Sequence, residues 1–323
     1  MTSQSLSAAA PAQQPSRMNR FLLFMQKRRS WFIGYLFILP WLVSLVIFDI
    51  YPFGMNLYLG FTDYAVGPVS RAEIIGLANF DRMLFKDDLF IKSLTNTLYY
   101  LAASVPLTVG LAFLIALVLN TEIRGVGIYR TIYYVPSVVP IVASSIIFLW
   151  MFNTRFGAIN QFLVAAGATP LRWLSSPDWV VPAMVIVSLW SFGTQMVIFL
   201  AGLQSIPDHL YEAVAIDGGG LWHRLLFVTI PLMTPTIFFN LLVGLIAGFQ
   251  VFTLAYIMLG PNGGPLQAGL FYMMHTYNNA FRYFNMGYAA ALSLVLFIII
   301  FVFTIVMVWT SNRWVYYGDE NDM

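Results

Sequence analysis

Asp208, Glu212, Asp217 and Arg224 are the only Asp, Glu, Lys or Arg residues between Asp178 and Arg282. All four fall in one stretch, "IPDHLYEAVAIDGGGLWHR" (206–224), with long apolar runs on either side. Few kinds of chemistry are open to such a set. No nucleophile–base pair or metal constellation appears, so no catalytic residues are expected. Three histidines (His209, His223, His275) are too few and too scattered for a metal cluster. With no cysteine, neither a disulfide framework nor a thiolate site is possible. A phosphate-cradling loop requires Gly-x-x-x-x-Gly-Lys-Ser/Thr. None of the three lysines (Lys27, Lys86, Lys92) follows a glycine, which excludes ATP binding by that route within this chain. What the carboxylates offer is charge for a basic cleft on a partner.

Local chemistry shapes that offer. "SIPD" (205–208) reads as a Ser-x-x-Asp helix start with Pro207 in the first turn. Residues 208–216 suit a helix of about two turns, with Asp208 and Glu212 four apart on one face. Leu210, Ala213 and Ile216 form a separate apolar face. Gly218, Gly219 and Gly220 then end the helix, since glycine takes left-handed closing conformations at little cost. A second short helix, "LWHRLLFVTI", leads to Pro231. Ala213, Ala215 and Gly218 are small enough for a partner to approach closely. Glu212 and Asp217 supply the charge. The simpler reading is a well-capped connector.

The elements around this loop are membrane spans. The 323 residues are 59% hydrophobic and only 9% charged, with a mean hydropathy of +0.77. A soluble domain carries about a quarter charged residues, so an all-α polytopic membrane protein is expected. The net charge of +2 includes no basic patch suited to nucleic acid. Apolar windows long enough to cross a bilayer predict six transmembrane helices, near 31–51, 93–119, 131–153, 180–204, 235–259 and 288–311. Pro231 and Pro235 are read as punctuating the start of the fifth, and "GPNGGP" (260–265) as the turn that ends it. Residues 266–285 are assigned to an extracytoplasmic loop or re-entrant segment. Residues 1–30 form a tail, with a short interfacial helix at 17–26, and residues 312–323 form a second tail.

Orientation follows from Arg17, Arg20, Lys27, Arg28 and Arg29 ahead of the first span. They place both termini, and with them the loop at 205–230, in the cytoplasm. The spans themselves are poor in ionisable groups. Asp49 is the one candidate and is placed at the outer end of the first helix, so coupling to protons or sodium has little to work with. Polar residues within spans mark a solute path, because they must find partners or line water. In the fourth span these are Ser188, Trp190, Gly193 and Gln195. In the fifth, Asn240, Gly244 and Gly248 share a face near Gln250, although Gly244 and Gly248 also have the small-xxx-small spacing of helix packing.

"EAVAIDGGGLWHRLLFVTIP" resembles the EAA loop of ABC-importer permeases (Glu-Ala-Ala, three residues, Gly, nine residues, Ile-x-Leu-Pro). Glu212, Ala213, Gly218 and Pro231 match at the right spacing, while Val214, Val228 and Ile230 depart from the pattern with apolar residues. "YPFGMNLYLGFTDY", "GLANFDRML", "GPNGGP" and "NRWVYYGDE" are similar to carbohydrate importers, and within them to MalF-like permeases of the maltose and glycerol-phosphate type. The maltose permease's extra N-terminal spans and large outer domain have no counterpart, and its pathway asparagines are not reproduced, so the resemblance supports the class and not maltose.

The resemblance implies a type I importer in the inner or plasma membrane of a prokaryote. It implies a second, MalG-like permease and two copies of a cytoplasmic ATPase carrying the ATP and Mg. An extracytoplasmic binding protein would deliver the sugar. No cofactor is expected in this chain. Coupling would run through Glu212, Ala213, Ala215, Asp217 and Gly218, with Glu212 expected to pair with an ATPase arginine. The rival reading is a self-sufficient secondary transporter or facilitator in which the loop merely connects two spans.

Overall fold

The computed structural model describes residue 31 and residues 33–67, 72–121 and 124–316. The expected interfacial helix at 17–26 and the end of the C-terminal tail lie outside them. Among the described residues the structure is helical, with one isolated β-bridge between Thr62 and Ile74. Residues up to Met55 separate as one unit and Asn56–Met323 as another.

Helix α1 (Ile33–Gly60) is exposed along its apolar length. It continues past the predicted end near residue 51, which leaves Asp49 inside the helix and not at its end. The reason is a widened π turn, Leu45–Ile50, closed by the Tyr51 N–H on the Val46 carbonyl. That turn ends two residues before Pro52. A proline lacks the N–H for the i−4 carbonyl and its ring collides with it, and an i→i−5 turn shifts that carbonyl out of register.

The second unit is built on α3 (Asp88–Leu119), against which α8 (Gly193–Gln204), α10 (Leu221–Phe249) and α7 (Pro177–Leu189) pack most extensively. Ahead of it lies the short α2 (Ala78–Phe85). Helices α4 (Val126–Val138) and α5 (Ile141–Met151) meet at 94°, and α7 and α8 at 48°. Each pair takes the place of one predicted straight span, and α6 (Ala158–Ala165) lies between the pairs. Among the described residues, four helices (α1, α3, α10 and α13, Met286–Ser311) are long and apolar enough to cross a membrane. With each bent pair counted as one span, the number is six.

The fifth span differs most from expectation. Predicted at 235–259, it runs from Leu221 to Phe249 and breaks before α11 (Thr253–Leu259). Neither Pro231 nor Pro235 interrupts it. A second π turn, Leu225–Thr229, again ends two residues before a proline, Pro231. Pro235 withdraws the N–H that would bond the Pro231 carbonyl, and the Thr234 hydroxyl donates to that oxygen instead, at 2.6 Å. In hydrocarbon such replacement is required, because no water is there to solvate the freed carbonyl.

"GPNGGP" is a tight turn with positive φ at Gly260, Gly263 and Gly264. A Cβ on Gly263 would lie 2.3 Å from the Leu270 nitrogen, so this position requires glycine. The following segment is not a loose loop. Helix α12 (Tyr272–Tyr277) and its π-turn continuation Asn278–Arg282 are largely buried.

One carboxylate fastens this segment. Asp87 Oδ1 caps α3 by accepting from the Leu89 and Phe90 N–H groups at 3.0 and 3.3 Å. Its Oδ2 takes the Tyr288 hydroxyl of α13 at 2.5 Å and the His275 Nε2 of α12 at 2.8 Å. The Arg82 guanidinium covers the Tyr288 ring at 4.2 Å. The start of α3 and two helices about two hundred residues further on therefore share one anion, and this pairing of His275 was not foreseen from the sequence.

Burial pushes the Asp87 carboxyl up, but the hydrogen bonds from Tyr288, His275 and Leu89 and the His275 charge outweigh it and hold the group below the ordinary 3.8. Burial, and secondarily Arg82, holds His275 below its ordinary 6.5 against the pull of Asp87. A histidine depressed in the folded state favours folding fully above pH 6.5 and loses that contribution as pH falls through its folded value. The depressed carboxylate acts in the same direction below 3.8. The purified protein should therefore melt at a lower temperature at pH 5.5 than at 7.5, and His275→Gln should flatten that slope. An identical slope in the variant would contradict the assignment.

Candidate functional site

Two sites emerge, an exposed knob between α8 and α10 and a cleft where the helices break. The knob is α9 (Asp208–Ile216), with the bounds expected from its charges and glycines. Its start differs from expectation. Pro207 is the N-cap residue and no side chain caps the helix, while the Ser205 hydroxyl bonds back to Gly202. Its end is a closed turn. The Gly219 N–H reaches the Val214 carbonyl at 2.8 Å, and the Gly218 N–H reaches Ala215 at 3.1 Å. Gly218 has φ +78°. At Gly219 an added Cβ would lie 2.5 Å from Val214 Cγ1 and 2.9 Å from its carbonyl oxygen, so glycine is needed there as well.

The expected apolar face is shifted. Leu210, Tyr211 and Val214 pack on the core formed by α3 and α8. Ala213 and Ile216 point outward with Glu212, Ala215 and Asp217. Ile216 is 87% exposed, Leu221 82% and Trp222 72%. Two carboxylates thus stand on an apolar, small-residue surface that none of the described residues covers. Patches of this kind mark interaction sites. The knob is also tied to a span, since the Tyr211 hydroxyl meets Thr229 Oγ1 at 3.2 Å in the π turn of α10.

The cleft has a volume of about 670 Å³. Its walls come from the points where helices are interrupted: the bend between α4 and α5 (Pro136, Ser137, Ile141), the bend between α7 and α8 (Ser188, Trp190, Ser191, Gln195) and the break after α10 (Gln250, Phe252, Thr253). The middle of α3, around Pro106, supplies Tyr100, Ser104 and Thr108. The two bends satisfy one another, with Ser137 Oγ donating to the Ser191 carbonyl at 3.3 Å and accepting from the Thr194 N–H at 3.2 Å. No lining residue carries a formal charge. The Gln195 side-chain oxygen is buried and has no partner, and Trp190 stands edge-on to Phe148 at 5.7 Å.

Of the residues singled out from the sequence, Ser188, Trp190, Gln195, Gly244, Gly248 and Gln250 line this cleft. Gly193 and Asn240 do not. Gly193 is buried where α8 crosses α4, and a Cβ there would lie 2.5 Å from the Tyr133 carbonyl oxygen and 2.9 Å from Tyr134 Cα. Asn240 is 1% exposed and donates to Thr236 in its own helix. Gly244 and Gly248 pack as well as line, meeting Val105 and Leu101 of α3. The sequence reading missed Tyr100, Ser104 and Thr108, although their four-residue spacing in an apolar helix is a visible stripe.

Comparison with known proteins places this arrangement. Residues 108–316 match the family of binding-protein-dependent transport system inner membrane components. The chain is 37% identical over 299 residues to the probable ABC transporter permease protein YesP of Bacillus subtilis, covering 91% of this chain and 95% of YesP. It is 32% identical over 285 residues to the lactose transport system permease protein LacF of Rhizobium radiobacter, covering 87% and 94%. In fold it is similar to a chain of a bacterial alginate ABC transporter solved with its periplasmic protein, at TM-score 0.74 and 23% identity over 90% of this chain and 97% of that one.

The chain belongs to the inner membrane components of binding-protein-dependent transport systems. It is a multi-pass membrane protein with the type I ABC importer permease fold.

Gly193→Ala should disturb the cleft. The methyl group meets the Tyr133 carbonyl oxygen, Tyr134 Cα and the hydroxyl of Ser137, a cleft residue, so strain of about 1–3 kcal/mol is expected. A melting temperature several degrees below wild type would record it, and an unchanged value would show that α4 and α8 are not in contact as described.

Proposed function

We propose that this chain is the permease subunit of an ATP-driven importer that moves a sugar or sugar derivative inward. It works beside a second permease, over a dimer of cytoplasmic ATPases, and receives its solute from an extracytoplasmic binding protein. Both termini and α9 face the cytoplasm. The observation that carries the proposal is the α9 knob, which is rigidly closed, uncovered, acidic on an apolar ground and bonded to the start of a span. Such a knob fits a cleft on a partner that changes shape. Glu212 pairs with a basic group there, and Ala213, Ala215 and Gly218 let the partner's backbone approach, with Asp217 at the rim.

Motion then has a defined route. A displacement of α9 reaches α10 through the Tyr211–Thr229 contact and the packed Leu210 and Val214. From Thr229 to Gly244 a helix rises about 22 Å, so a tilt at the knob becomes a displacement of the cleft wall. The ATP and Mg belong to the partner, and this chain performs no chemical step. The sugar reading draws on relatives named for lactose, trehalose/maltose and arabino-oligosaccharide transport. It also draws on a cleft of hydroxyls, amides and aromatic faces, which is the chemistry that binds polyols.

The test is Glu212→Ala in the assembled transporter. Solute uptake should fall to background, and the ATPase should co-purify poorly or hydrolyse ATP without transport, while the permease still reaches the membrane. Wild-type uptake by this variant, or uptake into liposomes by the chain alone without ATP, would favour the rival facilitator.

A further inference from the structure

The cleft does not end at the α10 break. Phe252, in its wall, stands 5.3 Å from Tyr256 and 4.8 Å from Tyr277, measured between ring centroids. Tyr256 and Tyr277 are 5.5 Å apart, and Tyr277 is 5.0 Å from Phe281. Phe252 and Tyr256 are backed by the buried core of α5, α7 and α11, yet Phe252, Tyr256 and Tyr277 all remain partly accessible and Phe281 is 57% exposed. Four aromatic rings therefore form a continuous track from the cleft to the surface at the start of α13. Its outer end has a polar rim, where Arg282 donates to Asn262 Oδ1 at 3.0 Å.

We infer that Phe252, Tyr256, Tyr277 and Phe281 form a carbohydrate track, which carries the pyranose or furanose rings of the solute from the outer surface into the cleft. The inference rests on the importer reading above. The apolar face of a sugar ring stacks on an aromatic face, and the ring's hydroxyls stay free for water or for the tyrosine hydroxyls and the rim. Each centroid lies within 5.5 Å of the next, so a ring leaving one face already touches its neighbour and no step strands it in bulk water. The exposed apolar surface along α1 and α13 mixes Leu, Ile and Val with scattered aromatics such as Tyr35, Trp41 and Trp309. This track is aromatic throughout, half of it tyrosine, and it opens into the uncharged cleft.

The transporter, reconstituted in proteoliposomes with its own partner subunits and binding protein, would be assayed with radiolabelled lactose, trehalose and arabinotriose. Tyr277→Leu keeps apolar bulk but removes the flat face, whereas Tyr277→Phe keeps the face. Tyr277→Leu should lower uptake of the transported sugar about three- to ten-fold, the loss expected for one stacking contact, and Tyr277→Phe should stay near wild type. The yield of assembled complex should be the same for both.

Equal uptake by Tyr277→Leu and wild type would overturn the track while leaving the importer reading intact. So would a loss of complex assembly in Tyr277→Leu, which would assign the rings to a subunit contact. A wild-type complex that takes up none of the three sugars with ATP would count against the sugar reading itself, and the track would fall with it.

Discussion

The constraint on which this structure depends is that a backbone carbonyl or N–H in hydrocarbon must be bonded to something. Prolines fall inside most of its apolar helices, and each one withdraws a donor. The chain meets this in two ways. Where a helix must continue, a π turn moves the clash aside or a hydroxyl takes over the orphaned carbonyl, as Thr234 does for Pro231. Where a helix is allowed to break, the irregular backbone is gathered around a cleft in which polar groups can be answered. The bends at Val139–Pro140 and Trp190–Phe192 and the break at Gln250–Phe252 all border the same space. The cleft is thus the place where the membrane's rule on backbone is relaxed, and its hydroxyl-rich lining follows from that.

Position and motion are separated in the same design. The start of α3, α12 and the start of α13 are held by one partly buried anion, Asp87, while α9 hangs on α10 by a side-chain hydrogen bond and a few apolar contacts. A hydrogen bond of that kind contributes about 0.5–1.5 kcal/mol. The link between knob and span can therefore adjust, but the helix beyond it is continuous from Leu221 to Phe249. A stiff lever on a compliant joint suits alternating access, in which two arrangements of the spans must lie close in energy.

Much of this was legible in the sequence, for reasons that can be named. Helix α9 was read correctly from 208 to 216 because charges and glycines are local signals and its capping turn needs no distant partner. Six apolar spans were legible by length. The fifth span was misplaced because prolines ordinarily stop helices, and a compensating hydroxyl one residue away is not part of that rule. Tyr100, Ser104 and Thr108 escaped notice because hydroxyls in apolar helices so often bond back into their own turn, as Ser93 and Thr97 do here. Asn240 was read into the path by its four-residue spacing with Gly244 and Gly248, and Gly193 by its place among polar residues of the fourth span. Neither lines the cleft. Only three dimensions show that one bonds its own helix and the other accommodates a crossing. The Asp87–His275 pair spans 188 residues, beyond any local signal.

The absence of cysteine from the sequence gives the central claim a direct test. Ala213→Cys places a single thiol on the outward face of α9, from which a short bifunctional reagent can reach only what covers the knob. In the membrane-embedded transporter the account predicts a cross-link to the ATPase subunit whose yield changes between the nucleotide-free and ATP-bound states. A thiol that reacts freely with water-soluble maleimide in every state, and never joins the ATPase, would make the knob a connector and contradict the account.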